Sequence, residues 1–171
     1  MSKIGIKTIP LSYNDIEFIA MSVRKRFEIT GTFPADKFEF LIQILDVNID
    51  IRDDIKEEGF TDIFGNKITL REDVYNGLIN NEPRARFTAI HELAHKILHC
   101  NNYNLARCEK EDIPAYRDPE WQADALAGAI LCPASEIKKM NMDYQDIMRI
   151  FLVSETCARK RLSIMSKISI V

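Results

Sequence analysis

Residues 86–99 read RFTAIHELAHKILH, a pattern with helical periodicity and two histidines four positions apart. The apolar residues in this stretch recur at helical spacing and predict a helix over residues 83–99. His91 and His95 then lie one turn apart on the polar face, where both imidazoles can reach one Zn²⁺ ion. Glu92 is rotated by about 100° from His91, so it can lie beside such an ion without binding it.

A zinc site that supports chemistry needs a third protein ligand and an open fourth position. Residues 119–131 predict a second helix, with Asp118 as its N-cap. Glu120 and Asp124 share one face of this helix. We expect Glu120 to complete the ligand set and Asp124 to accept the outer N–H of a ligating histidine. The alternative is a solvated pair of acids, which the first turn of a helix favours in any case.

Other candidates for the third ligand fit less well. His99 lies about 12 Å along the helix axis from His91. The remaining acids near the motifs occupy loop or cap positions: Glu109, Glu111 and Asp118. A separate zinc set of Cys100 and Cys108 beside His99 matches no known ligand spacing.

The rest of the sequence predicts an α+β fold, with helices packed on a small, mostly antiparallel sheet. Strict alternation over Val47–Arg52 predicts a half-buried strand. Phe60–Phe64 and Lys67–Arg71 flank a Gly-Asn pair and predict a hairpin, with Ile68 and Leu70 facing the core. Further helices are predicted over residues 12–27, 34–45, 143–151 and 155–165, the first starting with a capping box at Ser12 and Asp15.

Length and composition predict a single domain over residues 1–171. The net charge of −3 gives no general attraction to nucleic acid, and direct binding to it is not expected. The longest apolar run, Ala125–Cys132, is far shorter than the roughly 18 residues that a membrane span needs. Residues 1–14 contain no secretion signal, so a cytoplasmic protein is expected.

The C-terminal segment, residues 134–171, is predicted to be helical and is a candidate partner-binding segment. Within it, Lys138–Val171 carries seven Lys and Arg residues against three acids. Such a segment can contact DNA or an acidic partner. A solvated helix face explains the same charges, and no aromatic interleaving or groove-reading motif favours nucleic acid.

The two motif helices resemble those of a known family. Residues 86–99 resemble the signature helix of the ImmA/IrrE metallopeptidases, and residues 119–133, PEWQADALAGAILCP, resemble their second motif. Residues 151–154, followed by Arg161-Leu162, look like the C-terminal segment of that family. Two departures, Leu126 where Phe is usual and Cys132 where Met is usual, affect packing rather than metal binding.

The resemblance implies a zincin-like fold and a zinc-dependent endopeptidase with a thermolysin-like ligand set. The ligands would be His91, His95 and Glu120, with Glu92 as the catalytic base. The expected protein substrate is a specific regulator, a helix-turn-helix repressor of a mobile element or stress response. We expect an extended substrate to add as a strand to the hairpin arm Lys67–Arg71.

Three further residues are candidates for contact with an oxyanion or with substrate. His99 matches a histidine that is common in the family, but a polar residue at a helix end is an equal alternative. Tyr103 and Tyr116 lie between the two motifs and can donate hydrogen bonds. Packing of their rings in the protein interior is the favoured alternative for both tyrosines.

A second functional class is a non-catalytic zinc-binding regulator or toxin–antitoxin component that acts by binding a protein. Its zinc would be structural, and a structural site is closed by a fourth protein ligand. His99 or a cysteine would have to supply it, and the geometry argues against His99. A structural site also has no use for Glu92, which favours catalysis.

Overall fold

The computed structural model describes residues 4–100, 106–109 and 113–169. This part contains five strands, eight α-helices and two 3₁₀ turns, at Ala115–Arg117 and Met165–Lys167. In chain order the main elements are β1 (Ile4–Lys7), α1 (Tyr13–Arg26), α2 (Ala35–Ile44), β2 (Asn48–Arg52), β3 (Gly59–Thr61), β4 (Lys67–Arg71), α3 (Glu72–Ile79), α4 (Pro83–His99), β5 (Ala106–Glu109), α5 (Pro119–Leu131), α6 (Ala134–Met140), α7 (Tyr144–Phe151) and α8 (Glu155–Ser163).

The main sheet has three strands, in the order β2-β4-β3. β3 pairs antiparallel with β4, whereas β2 pairs parallel with it. A separate antiparallel pair joins β1 to β5. Two of the three pairings in the described residues are antiparallel, and the predicted α+β class with helices on a small sheet is confirmed.

The predicted hairpin is present as β3 and β4, but its first arm is Gly59–Thr61 rather than Phe60–Phe64, and the connection spans residues 62–66 rather than two residues. Ile68 and Leu70 are fully buried as expected. The expectation that Lys67–Arg71 receives a substrate strand is wrong, because β4 is the central strand and both of its edges are already paired. Within the described residues, the free edge on the side of α4 belongs to β3.

The alternating strand over residues 47–52 is present as β2, but it is not half-buried. Ile49 and Ile51 share a face with Ile68 and Leu70, yet they are 37% and 42% exposed. β2 is an edge strand, and its apolar face lies largely outside the core that covers β4. Alternation predicted which side chains share a face, but not how far that face is covered.

The two motif helices begin and end where the sequence predicts. α4 has a proline at its first turn, and α5 is capped by Asp118, whose side chain accepts from the Glu120 backbone N–H. The capping box of α1 is also present, formed by Ser12 and Asp15. α3 was not predicted, and α6 was covered only by the general prediction of a helical segment over residues 134–171, because neither short helix has a side-chain cap to mark its start.

Buried arginine side chains connect the helices that surround α5 through ion pairs and hydrogen bonds. α5 is itself buried along most of its length. Arg161 of α8 lies 2.5 Å from Glu17 of α1 and donates to the Cys132 carbonyl at 2.9 Å. Gly128 makes room for it, since a Cβ there would lie 3.3 Å from Arg161 Cδ. α8 is thereby held against α1 and against α5, the helix that carries Glu120.

The basic residues of the C-terminal segment mostly have partners within the chain. Arg161 is buried with Glu17, and Lys160 lies 3.7 Å from Asp124. Four others contact neighbouring acids, rings or carbonyls: Lys138, Arg149, Arg159 and Lys167. Most of the basic side chains of this segment are therefore engaged within the chain, and Arg161 is buried rather than on a solvated face.

Candidate metal centre

α4 presents His91 and His95 together on its polar face, as the four-residue spacing predicts. Their Nε2 atoms lie 3.0 Å apart, and each side chain is less than one-fifth exposed. Apolar residues on the opposite face of α4, Ile90, Leu93 and Ala94, are fully buried in the core. The core packing therefore fixes the direction in which both imidazoles point.

Glu120, in the first turn of α5, reaches the same point from the neighbouring helix. Its carboxylate oxygens lie 3.3 Å from His91 Nε2 and 3.4 Å from His95 Nε2. These three side chains form a group whose ligand atoms all lie within 4.8 Å of one another. Two ligands held at about 2.1 Å in tetrahedral geometry are about 3.4 Å apart, so the observed spacings suit a small divalent cation.

The chemistry of the donor set also calls for a cation. His91 Nδ1 lies 3.0 Å from Asp124 Oδ1, and a carboxylate only accepts, so the ring carries its hydrogen on Nδ1. His95 Nδ1 is likewise engaged, at 3.1 Å from His99 Nδ1. The Nε2 lone pairs therefore converge with an anionic carboxylate, an arrangement that only a positive charge stabilises.

In the metal-free protein, the close approach of these hydrogen-bonding groups also shifts the pKa values of His91, Glu120 and Asp124. Burial opposes the charged form of His91, but hydrogen bonds to Asp124 and Glu120 outweigh this and raise its pKa to about 9. The hydrogen bond from His91, together with the nearby imidazole of His95, holds the pKa of Glu120 well below its ordinary range. The hydrogen bond from His91 also lowers the pKa of Asp124. A proton on His91 thus takes the place of a metal ion when none is bound.

Glu92 is 6% exposed and borders the cavity that the two histidines and Glu120 line, about 350 Å³ in volume. Its Oε2 atom lies 2.9 Å from Thr61 Oγ1 on β3. Thr61 Oγ1 also lies 2.9 Å from the backbone carbonyl oxygen of Glu92, so its one hydrogen is shared between these two acceptors and ties Glu92 to β3. Glu92 is not part of the metal-binding group, and it lies beside that group as the helical rotation predicts.

β3 forms one wall of this cavity, and Gly59 permits its close approach to α4. A Cβ at Gly59 would lie 2.8 Å from Leu70 Cδ2 and 3.2 Å from Glu92 Cγ. Neither Gly59 nor Thr61 was identified from the sequence, because no local pattern indicates that a strand 31 residues before Glu92 contacts it.

The other predicted site residues have different surroundings. His99 is buried, and its two nitrogens contact His95 and Gln122, so neither is free for a substrate. Burial, opposed by the hydrogen bond to Gln122, lowers the pKa of His99 and favours its neutral form. Tyr116 is 50% exposed, which contradicts interior packing of its ring, and it does not line the cavity. Tyr103 lies outside the described residues.

The remaining candidate ligands do not join the cluster where the structure describes them. Asp118 is occupied as the N-cap of α5. Cys100 lines the cavity, but its Sγ lies 3.5 Å from the His95 carbonyl rather than among the metal-binding atoms. Three candidate side chains lie outside the part described here: Cys108, Glu109 and Glu111.

A second cavity, of about 240 Å³, adjoins the cluster on the far side of Asp124. Its walls include the rings of Tyr13, Phe87 and Trp121, with Lys160 as a charged group beside Asp124. This apolar space lies near the metal-binding atoms, since Phe87 is one turn before His91 on α4.

The fold and this arrangement of two histidines and a carboxylate from neighbouring helices define a candidate metallopeptidase. Residues 74–163, more than half of the chain, match the family model Peptidase_M78, described as IrrE N-terminal-like domain. The chain belongs to this family, which is a family of peptidases, and the resemblance found in the sequence is confirmed.

Comparison with solved structures supports the fold. A Mycobacterium tuberculosis transcriptional regulator superimposes with a TM-score of 0.59 at 14% sequence identity, over 87% of this chain. The match spans 55% of that regulator, so the chain corresponds to about half of its length. The curated proteins contain no match to the sequence. Within the described residues, no helix is long and apolar enough to cross a membrane.

Proposed function

We propose that the protein is a zinc-dependent endopeptidase that cleaves one specific regulatory protein, a helix-turn-helix repressor. The observation that carries the proposal is the convergence of His91, His95 and Glu120 beside a buried Glu92, at the wall of an open cavity. Zinc suits two imidazoles and one carboxylate better than Mg²⁺ or Ca²⁺, which prefer oxygen ligands. Three protein ligands also leave the fourth position open, as catalytic zinc sites require.

A zinc ion held by these residues would lower the pKa of a bound water to about 7 and polarise the scissile carbonyl. Glu92 accepts the proton of the attacking water and passes it to the leaving amine as the peptide C–N bond breaks. Thr61 donates to Oε2 of Glu92 and keeps the carboxylate aimed into the cavity. Asp124 holds His91 in the tautomer that leaves Nε2 free.

We propose that the substrate backbone binds along the free edge of β3. The Glu58 carbonyl accepts from the Arg71 N–H, and the Asp62 N–H donates to the Lys67 carbonyl. The alternation of an antiparallel pair therefore directs the backbone groups of Gly59 and Thr61 outward. An extended peptide can add to these groups as a further strand, which places it across the cavity beside Glu92. The apolar cavity near Asp124 is suited to a large apolar side chain of such a peptide.

Three observations support a regulator as the substrate. The family resemblance points to helix-turn-helix repressors, and the structural neighbour is itself a transcriptional regulator. The free strand edge is short, only Gly59–Thr61, which suits a substrate whose own fold contributes to recognition more than an unfolded chain. We therefore expect selective cleavage of one partner rather than general proteolysis.

The test compares two substrates for the zinc-loaded protein: a helix-turn-helix repressor encoded in the same genome, and casein. We expect a discrete cleavage of the repressor that a chelator abolishes, and little digestion of casein. The Glu72→Gln variant, which changes an exposed acid at the start of α3, should behave as wild type. Rapid digestion of casein without preference for the repressor would contradict the proposed specificity, and zinc-dependent binding without cleavage would favour a non-catalytic regulator.

A further inference from the structure

The side chain of Gln122 on α5 is fully buried and makes three hydrogen bonds. Its Nε2 atom donates to the backbone carbonyls of Ile9 and Tyr116, at 2.7 Å and 2.8 Å. Carbonyl oxygens only accept, so the amide group must present its NH₂ to them. The orientation of the amide is therefore fixed, and its oxygen, Oε1, points at His99 on the neighbouring helix.

The donor and the acceptor of each following hydrogen bond, from Gln122 through His99 to His95, are determined by that orientation. Gln122 Oε1 lies 3.0 Å from His99 Nε2, so Nε2 carries the hydrogen and donates it. A neutral imidazole with its hydrogen on Nε2 has an acceptor at Nδ1. His99 Nδ1 lies 3.1 Å from His95 Nδ1, which must then be the donor. The hydrogen of His95 is thus held on Nδ1, and its Nε2 keeps a lone pair toward Glu120.

We infer that Gln122, acting through His99, is a positioning residue that selects the tautomer of His95 in which Nε2 can bind a metal ion. This inference rests on the zinc site of the proposed function. The opposite tautomer would place a hydrogen on the atom that faces His91 and Glu120, at 3.0 Å and 3.4 Å. Binding a metal would then first require moving that hydrogen.

The two proposed histidine ligands are therefore oriented by different kinds of hydrogen-bond partner. His91 is held by Asp124, a charged and 40% exposed carboxylate, whereas His95 is held by a buried chain of neutral groups. The neutral chain orients its ligand without adding a negative charge to a site that already has Glu120 and Asp124. It also gives buried His99 a role that does not require contact with substrate.

A purely structural role for Gln122 makes a different prediction. The amide also joins α5 to the segment before α1, at Ile9, and to the turn at Tyr116. A His99→Phe variant removes the acceptor for His95 but leaves both of those bonds in place. A Gln122→Met variant removes all three bonds of the amide, so the pair of variants separates the two roles.

The experiment measures the tautomer of His95 by ¹⁵N NMR of the metal-free full chain and the affinity for Zn²⁺ by competition with a chromophoric chelator. In wild type, Nδ1 of His95 should carry the hydrogen. His99→Phe should populate the other tautomer and weaken zinc binding by about 10–100-fold. His99→Gln, which can both accept from His95 and donate to Gln122, should restore most of the affinity. In the double variant, Gln122→Met should weaken zinc binding little beyond the effect of His99→Phe, because both substitutions act through the same series of hydrogen bonds.

An unchanged His95 tautomer and unchanged zinc affinity in His99→Phe would overturn the inference. So would a loss of affinity in Gln122→Met that His99→Phe does not share, since this is the pattern of a structural role. In either case wild type would still bind zinc, and the proposed function would stand. Wild type that binds no zinc would contradict the proposed function itself.

Discussion

Asp124 Oδ1 and His91 Nδ1 lie 3.0 Å apart, and this contact joins the second motif helix to the first through a metal-binding side chain. Loss of such an outer partner typically costs about 10–100-fold in metal affinity or activity. We expect Asp124→Ala to weaken zinc binding by this amount, measured by chelator competition. Asp124→Asn should lose less, because its amide oxygen can still accept from His91.

Lys160 provides the matched control, because its Nζ lies 3.7 Å from Oδ2, the other oxygen of the same carboxylate. This pair is about half exposed, and exposed ion pairs contribute little. Lys160→Met should therefore bind zinc as wild type does. If Asp124→Ala and Lys160→Met were both indistinguishable from wild type, Asp124 would be a solvated acid with no role at the metal centre.

The raised pKa of His91 predicts that zinc binding displaces a proton. With a pKa of about 9 in the metal-free protein, His91 is protonated at neutral pH, and it must lose this proton before Nε2 can bind. Zinc affinity should therefore rise with pH until it levels off near pH 9. Calorimetry in buffers of different ionisation enthalpy should detect close to one proton released per ion near neutral pH. Zinc binding without proton release would show that His91 is neutral or is not a ligand.

The hydrogen bond from Thr61 to Glu92 should matter for cleavage and not for metal binding. Thr61→Val removes the hydroxyl at nearly constant shape, and losing one bond to a charged group should lower the cleavage rate roughly tenfold. Thr88→Val is the control, because it removes a similar bond of 2.9 Å from α4 to Glu58. Equal cleavage rates for the two variants would mean that Thr61 does not orient Glu92.

The buried pair of Arg161 and Glu17 predicts an effect on stability. Both side chains are less than 5% exposed, so removing one partner leaves an uncompensated charge in the interior. Glu17→Ala should lower the free energy of unfolding by about 3–5 kcal/mol, measured by denaturant titration of the metal-free protein. The double variant Glu17→Met, Arg161→Met should recover much of that loss. A single variant as stable as wild type would contradict the pairing.

The sequence was most informative where the structure is determined by local pattern. Helical periodicity and capping residues predicted α4 and α5 within a residue, because these signals lie inside the helices themselves. The spacing of His91 and His95, and of Glu120 and Asp124, then predicted which side chains share a face. The structure brings these four side chains together at the point where the two helices pack.

Apart from the contact of Asp124 with His91, features that depend on contacts between distant segments were largely not predicted. The parallel pairing of β2 with β4 left β3, and not β4, at the free edge of the sheet. Thr61 and Gln122 were missed because their partners, Glu92 and His99, lie on other elements. No residue pattern within a single segment carries this information, so the contacts of Thr61 and Gln122 emerge only from the packed structure.

Glu92→Gln offers the most direct test of a catalytic metal centre, because the substitution keeps the shape of the side chain and removes only its ability to take a proton. We expect the variant to bind one zinc ion per chain, as wild type does, and to lose at least about 10²-fold in cleavage of the repressor. Zinc content and the cleavage rate should be measured on the same preparations. Loss of zinc would mean that Glu92 is a ligand, and cleavage at the wild-type rate would contradict the proposed mechanism.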